Sequence, residues 1–331
     1  MNVLVLGGAG YIGSHAVKEL IAQGHRAAVV DTLEIGHRAA VDSEAAFYEG
    51  DLRDGALMDR VFAEVRPDAV IDFAAYTVVA ESVADPLRYY DNNVGGMLRL
   101  LRSMIKNDVG KIVFSSTASV YGMPTRLPIY ETDPTEPINP YGETKLAVEK
   151  ILKWAGGAYG VKYISLRYFN VAGAHISGDI GEDHDPETHL IPNALKAALG
   201  AGKSLDIYGD DYGTPDGTCI RDYVHVTDLA EAHILAVKSL IGGSAGGTYN
   251  VGSGTGFSNK EIIDETERLT GITITKKIAP RRPGDPDSLI ASGEKITREL
   301  GWRPRFTNLP DIIGSAYEWH RKHPNGFGDK K

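Results

Sequence analysis

Cysteine is almost absent: Cys219 is the only one in 331 residues. That excludes an intrachain disulfide and a thiolate-built zinc site, and it fits a reducing compartment. Long apolar runs are missing as well, none approaching the ~20 residues that span a bilayer. Nor is there a surplus of positive charge. The 35 lysines and arginines are outnumbered by 44 aspartates and glutamates, giving a net charge of −9, which argues against a broad nucleic-acid surface. Basic runs are short (Lys276-Lys277, Arg281-Arg282 and His320-Arg321-Lys322-His323) and read as solvated faces. The opening Met1-Asn2-Val3-Leu4-Val5-Leu6 lacks a basic segment and is cut off by Gly7-Gly8, too short for a secretory signal. The expectation is a cytoplasmic protein with no membrane and no nucleic acid among its partners.

With 42% hydrophobic residues the chain has material for a substantial core, so it reads as globular. Its first half alternates strand and helix patterns. Asn2–Leu6, Arg26–Val30, Ala69–Asp72, Lys111–Phe114 and Lys162–Arg167 read as strands. Tyr11–Gln23, Asp54–Glu64, Pro86–Lys106 and Tyr141–Ala155 read as helices. Such alternation predicts a parallel sheet covered by helices on both faces. Past Asn170 the rhythm breaks. Ala174–His189 is polar, Gly-rich and acidic and reads as loop. Asp228–Leu240 and Asn308–His323 read as helices, and Ile272–Ile278 as a strand. Ser258-Asn259-Lys260-Glu261 fits a capping box that starts a helix ending near Gly271. The Pro-rich Met123–Pro140 is expected to be a surface loop.

Two motifs carry chemistry. Gly7-Gly8-Ala9-Gly10-Tyr11-Ile12-Gly13 follows a strand and opens a helix. Glycines there let the backbone approach a pyrophosphate, whose charge the helix N-terminus stabilises. Asp31 ends the second strand about 20 residues on, where an acid would bind an adenosine ribose. Its carboxylate repels a 2′-phosphate, so the expected cofactor is NAD rather than NADP. Gly50-Asp51-Leu52 and Phe73-Ala74-Ala75 follow the next strands, where the adenine and the nicotinamide-side ribose should lie. The second motif is Tyr141 with Lys145, one helical turn apart and on one face, preceded by the hydroxyl cluster Ser115-Ser116-Thr117. A phenol titrates near ~10, and a neighbouring ammonium is expected to lower that value. Tyr141 would then take a proton from a sugar hydroxyl while a nicotinamide takes the hydride.

The Gly loop, Thr117, Tyr141 and Lys145 resemble the extended short-chain dehydrogenase/reductase family, in particular its sugar-nucleotide 4-epimerases. The likeness extends through Tyr89–Val94, Phe114–Gly122, Arg167–Asn170, Gly213–Val226 and Ala279–Asp285. It implies an α/β chain: a Rossmann doubly wound parallel sheet with a smaller, partly interleaved C-terminal α/β substrate domain. The implied division is 1–170 for NAD and mainly 171–331 for a UDP-sugar, with segments around 210–250 returning to the first. It implies inversion of the 4-hydroxyl of a UDP-hexose through a transient 4-keto sugar. N-acetylated or pentose UDP-sugars stay open as substrates, and so does a non-catalytic dinucleotide sensor. Carried over by position, Gly7, Gly10, Tyr11, Ile12, Gly13, Asp31, Asp51, Leu52, Phe73, Ala74, Ala75, Asn92, Lys145, Tyr168 and Phe169 become the cofactor contacts. Thr117, Tyr141, Asn170, Leu190, Ile207, Tyr208, Arg221, Arg282 and Asp285 become the substrate contacts, with Thr117, Tyr141 and Lys145 catalytic. A homodimer through the helices around Pro86–Lys106 and Tyr141–Ala155 is also implied.

The chain departs from that pattern at Leu6, Thr77, Thr117, His189 and Leu289. Leu289 stands at a gate position for the sugar. A dehydratase is disfavoured because Ala118-Ser119, not Asp-Glu, follow Thr117. Asp179, Glu182, Asp183, His184, Asp185, Glu187 and His189 form a dense polar cluster. Their spacing matches no metal motif, so no metal is expected and the segment reads as a solvated loop.

Overall fold

The structure is a computed structural model that describes residues 1–200, 204–282 and 284–329. Pro283, inside the Ala279–Asp285 run, lies outside the described residues. In chain order the strands are β1 (Asn2–Leu6), β2 (Arg26–Asp31), β3 (Ala46–Glu49), β4 (Ala69–Asp72), β5 (Lys111–Thr117), β6 (Lys162–Tyr168) and β7 (Asn170–Ala172). They continue as β8 (Leu205–Tyr208), β9 (Ile220–His225), β10 (Gly247–Val251), β11 (Gly256–Ser258), β12 (Lys276–Ala279) and β13 (Ser288–Leu289).

Side-chain alternation along the first strand explains the layering. Val3 and Val5 enter one core while Leu4 and Leu6 enter another, and all four are fully buried. A strand that is apolar on both faces must be covered on both. On the first face Val17, Leu20, Leu229 and Val237 pack from the helices Tyr11–Ala22 and Val226–Ile241. On the second face Met58, Phe62, Leu100, Met104, Val148 and Leu152 pack from Gly55–Val65, Gly96–Lys106 and Pro140–Tyr159.

The main sheet is parallel throughout, in the order β10-β6-β5-β4-β1-β2-β3. The chain leaves β1 toward β2 and β3, then returns to the other side of β1 for β4, β5 and β6. The crevice at the carboxyl ends of β1 and β4 is therefore a topological switch point, where such sheets bind ligands. A smaller sheet, β11-β9-β13 with β7 on β9, and the pair β12-β8 stand beyond it. They are backed by the helices Leu190–Ala198, Asn259–Thr270 and Leu309–Lys322 through Leu195, Ile262, Ile263, Ile312 and Ile313.

Several local expectations are refined. The stretch Pro86–Lys106 is not one regular helix. Its middle, Tyr90–Gly95, widens into a π turn between Pro86–Tyr89 and Gly96–Lys106. Asn93 in that turn accepts from the Tyr76 N–H at 2.9 Å and donates to Thr144 Oγ1 at 3.0 Å. Met123–Pro140 is not wholly a surface loop, because Ile129 is fully buried and exchanges backbone hydrogen bonds with Ile290 and Ser292. The strand expected over Ile272–Ile278 is shorter and later, at Lys276–Ala279. The Ser258 capping box forms as read.

The helix Pro140–Tyr159 is fixed by a buried ion pair. Arg167 on β6 grips Glu149 with two hydrogen bonds, of 2.9 and 2.5 Å, and both side chains are 7% exposed. Ser116 Oγ donates to the same carboxylate, and Arg167 Nη1 donates to the Tyr121 hydroxyl. Removing one partner of a buried pair typically costs about 3–5 kcal/mol. Glu149→Ala is therefore expected to destabilise the protein by about that amount in urea unfolding. The double change Glu149→Leu/Arg167→Met is expected to regain much of the loss.

Candidate active site

The switch-point crevice opens into a cleft of about 890 Å³. The turn at its head leaves no room for side chains at two glycines. Gly7 has φ +72°, and a Cβ there would stand 2.8 Å from the Ala74 nitrogen. A Cβ on Gly13 would stand 2.2 Å from the Gly7 oxygen. The helix Tyr11–Ala22 that follows has no side-chain cap at Gly10, so its N-terminal N–H groups face the cleft. Asp31 closes the turn, its carboxylate accepting from the Ala9 and Leu33 N–H groups at 2.9 Å each. An uncapped helix end, close glycine packing and an acid at the β2 terminus together fit a dinucleotide pyrophosphate and ribose.

The cleft walls gather nearly all the residues expected from the sequence. Gly7, Gly10, Tyr11, Ile12, Gly13, Asp31, Asp51, Leu52, Phe73, Ala74, Ala75, Asn92, Tyr168 and Phe169 line it. So do Thr117, Tyr141, Asn170, Leu190, Ile207, Tyr208, Arg221, Arg282 and Asp285. Asp51 is clamped by the Arg53 guanidinium at 2.6–3.0 Å. Arg221 is paired with Asp285, and Arg282 stacks over the Tyr208 ring at 4.1 Å. Lys145 alone stands behind the wall. It is 3% exposed and donates to the Ser115 carbonyl at 2.9 Å.

Local structure explains how Tyr141 reaches the cleft. Asn139 caps its helix by accepting from the Gly142 N–H at 2.9 Å, and Pro140 supplies the first turn. Tyr141 thus sits at the helix start, opposite Thr117 at the end of β5, and both line the cleft. The ionisation expected of this pair is corrected. Burial pushes the Tyr141 hydroxyl up to about 12, with the Thr117 hydroxyl opposing. Lys145 does not depress it here: its Nζ lies 6.0 Å from the Tyr141 ring centroid and is turned to Ser115.

Asp72, at the end of β4, was legible in the sequence only as a strand-end acid. The structure puts it in the electrostatic environment of Lys145. Burial pushes Asp72 up to about 6 against the pull of Lys145 and of its hydrogen bond from the Ala74 N–H. Burial pushes Lys145 down to about 8, with Asp72 pulling it back up. Behind them, His233 Nδ1 meets the Leu229 carbonyl and its Nε2 accepts from the Ser115 hydroxyl at 3.0 Å. Burial keeps that ring neutral, at about 4.

The profile of the "NAD dependent epimerase/dehydratase family" matches residues 3–252. The chain belongs to this family. It is 54% identical to the UDP-glucose 4-epimerase of Lacticaseibacillus casei over 330 residues, covering 100% of both chains. A crystal structure of a UDP-glucose 4-epimerase superposes with a TM-score of 0.96 at 52% identity, over 98% of each chain. The Bifidobacterium longum UDP-glucose 4-epimerase in complex with NAD+ and UDP superposes with a TM-score of 0.93 at 43% identity, over 98% of this chain and 100% of that one. Members of the family are enzymes that use NAD, in keeping with the glycine turn and Asp31.

Asp72→Asn removes the negative charge that holds Lys145 protonated. The lysine is expected to titrate below about 8 in the variant, read by side-chain NMR of labelled lysine. The sign for stability follows from the same depression. The folded state binds fewer protons at Lys145 between about 8 and the ordinary 10.5, so this group's contribution rises with pH across that window.

Proposed function

We propose that the chain interconverts UDP-galactose and UDP-glucose by inverting the sugar 4-hydroxyl, with NAD as resident cofactor. The observation that carries this reading is the Tyr141–Thr117 hydroxyl pair. It faces a single cleft whose two ends have the chemistry for a dinucleotide and for a nucleoside diphosphate. Gly7, Gly10, Tyr11, Ile12, Gly13 and Asp31 would hold the pyrophosphate and adenosine ribose of NAD, Asp51 and Leu52 the adenine, and Phe73, Ala74, Ala75 and Asn92 the nicotinamide-side ribose. Tyr168 and Phe169 lie along the nicotinamide. Asn170, Leu190, Ile207, Tyr208, Arg221, Arg282 and Asp285 hold the UDP-sugar, whose diphosphate needs the two guanidinium forks. The division into a cofactor part, 1–170 with segments around 210–250, and a substrate part within 171–331 is supported by β10 lying beside β6 in the main sheet.

Bound NAD supplies reversible hydride acceptance at C4, which no side chain in the cleft can supply. The rest falls to the protein. Tyr141, its phenol ionised when the positive charge of bound NAD+ offsets the burial that raises it, would take the proton of the 4-hydroxyl and give one back to the sugar oxygen when C4 is reduced from its opposite face. Thr117 hydrogen-bonds that oxygen and steadies the Tyr141 oxygen. Lys145 supplies positive charge to the nicotinamide ribose region. It carries that charge at neutral pH because burial lowers its pKa only to about 8. The 4-keto sugar turns over within the cleft while the UDP moiety stays held. The grip therefore belongs on the nucleotide, remote from the reacting carbon.

The dimer is part of the same proposal. Leu87, Tyr90, Leu98 and Trp154 are 78%, 42%, 42% and 75% exposed on the helices Pro86–Tyr89, Gly96–Lys106 and Pro140–Tyr159 and the π turn between the first two. Such side chains on neighbouring helices are a surface for a second copy. Leu87→Glu/Trp154→Glu is expected to shift the protein to monomer in sedimentation equilibrium. Among the described residues no helix is long and apolar enough to cross a membrane. A cytoplasmic setting is proposed because the lone Cys219 is a buried free thiol.

The decisive measurement is UDP-glucose formation from UDP-galactose by purified protein with no cofactor added. Conversion to equilibrium is expected. No conversion even with NAD+ supplied would sink the galactose assignment. Tyr141→Phe is expected to keep NAD while turnover falls by roughly 10²–10⁴-fold, the usual scale of a proton-transfer residue. Unchanged turnover would remove Tyr141 from the chemistry.

A further inference from the structure

The segment read as a solvated loop contains a convergent donor set. Glu182, His184, Glu187 and His189 each offer one ligand atom, and these four atoms lie within 4.8 Å of one another. His184 Nδ1 is 3.3 Å from Glu182 Oε1 and 3.8 Å from Glu187 Oε1. His189 Nδ1 is 4.0 Å from Glu187 Oε1 and in hydrogen-bond contact with Glu182 Oε1. Four ligands at ~2.05 Å from a tetrahedral ion stand about 3.3 Å apart. The observed separations bracket that edge, so small side-chain shifts complete the tetrahedron. Two other members of the sequence cluster are engaged elsewhere. Asp179 pairs with Lys18, and Asp183 accepts from the Phe327 N–H.

The two carboxylates are deeply buried, with side chains 5% and 4% exposed. Two such anions side by side require two positive charges. Imidazolium rings at His184 and His189, their centroids 5.5 Å apart, supply them when no ion is present, and a divalent ion would supply the same two charges at one point. A second observation concerns the Glu187 carboxylate. Its Oε2 is buried with no hydrogen-bond partner among the described residues, its nearest cation being Lys196 Nζ at 3.9 Å, and buried carboxylate oxygens are seldom left so. Oε1, the oxygen beside the two imidazoles, accepts from the N–H groups of Thr188 and His189, which fix the carboxylate's orientation as outer hydrogen bonds do at metal centres.

We propose that Glu182, His184, Glu187 and His189 form a structural site for one divalent transition-metal ion, with Zn2+ the best match. Two imidazole nitrogens and two carboxylate oxygens suit a borderline cation rather than Mg2+ or Ca2+. Four protein donors leave no open position, so the ion is a tie and not a reactant. It joins the loop after β7 to the start of the helix Leu190–Ala198, where His189 is the N-cap. It also cancels two buried negative charges beside Tyr11, whose ring lies 6.2 Å from that of His184. Tyr11 opens the helix at the pyrophosphate end of the cleft, so the tie fixes the wall between the two halves of the cleft. None of this depends on the catalytic roles proposed above.

The test begins with elemental analysis of untagged protein purified without chelator, followed by stripping and titration with Zn2+ or Co2+. One metal per chain is expected as purified. Re-addition of Zn2+ to stripped protein is expected to raise the melting temperature by several degrees, since a ligand bound to the native state stabilises it. Co2+ is expected to give the visible absorption of tetrahedral coordination. His184→Ala and Glu187→Gln should lose stoichiometric metal and the Co2+ spectrum, while Asp185→Asn in the same loop keeps both. Absence of stoichiometric metal, with no thermal shift on adding Zn2+, Mn2+ or Co2+, would overturn the proposal. So would an octahedral Co2+ spectrum, or metal retained equally by Glu187→Gln. If a variant fails to fold, the wild-type stoichiometry and Co2+ spectrum decide alone.

Discussion

The buried pair of Glu149 and Arg167 sets the geometry on which the site depends. It ties the helix Pro140–Tyr159 to β6, while Ser116 on β5 shares the same carboxylate. Tyr141 and Lys145 lie on that helix, and Thr117 is the residue after Ser116. A rotation or slide of the helix by one residue would strand a charged group in the core. The penalty for that is far larger than any single apolar contact. The distance between the Tyr141 and Thr117 hydroxyls is thus held by an interaction that touches neither. Tyr121 and Asn250 extend the network to β10, so the last strand of the main sheet is registered by the same charges.

A second constraint is the tightness of the turn at the head of the sheet. Gly13 packs on Gly7, and Gly7 packs on the backbone before Ala74. Cofactor turn, first helix and the loop after β4 therefore form one rigid unit. Asp72 at the end of β4 hangs from that unit and meets the charge of Lys145, which the helix Pro140–Tyr159 brings up from the other side. Position and charge at the centre of the cleft are set by backbone that has no freedom to adjust.

Much of this was legible in the sequence because it is local. The glycine spacing, Asp31 at a strand end, the capping box at Ser258 and the Tyr141–Lys145 turn are all statements about residues close in the chain. The strands β1, β2, β4 and β5 were visible because each carries a run of buried apolar residues, and β6 because Ile164 and Leu166 alternate with polar neighbours. What stayed hidden is what the fold assembles from distant parts. Nothing near Asp72 signals that it meets the charge of Lys145, and the Tyr141 phenol is raised by burial that only the closed core creates. The π turn at Tyr90–Gly95 was invisible because its helical neighbours have ordinary patterns. Strands such as β7, β11 and β13 are too short for alternation to register. The loop before His189 looked solvated because polar residues usually are; the backbone folds its two glutamates inward.

The pairing of Arg221 with Asp285 has a further meaning for how the cleft fills and empties. The arginine is not a bare cation waiting for an anion, because its charge is already answered from within. On the proposed reading, an arriving diphosphate would have to displace a carboxylate that is tethered in place. A singly charged solute would compete poorly with that acid, and the acid would reclaim the guanidinium when the nucleotide departs.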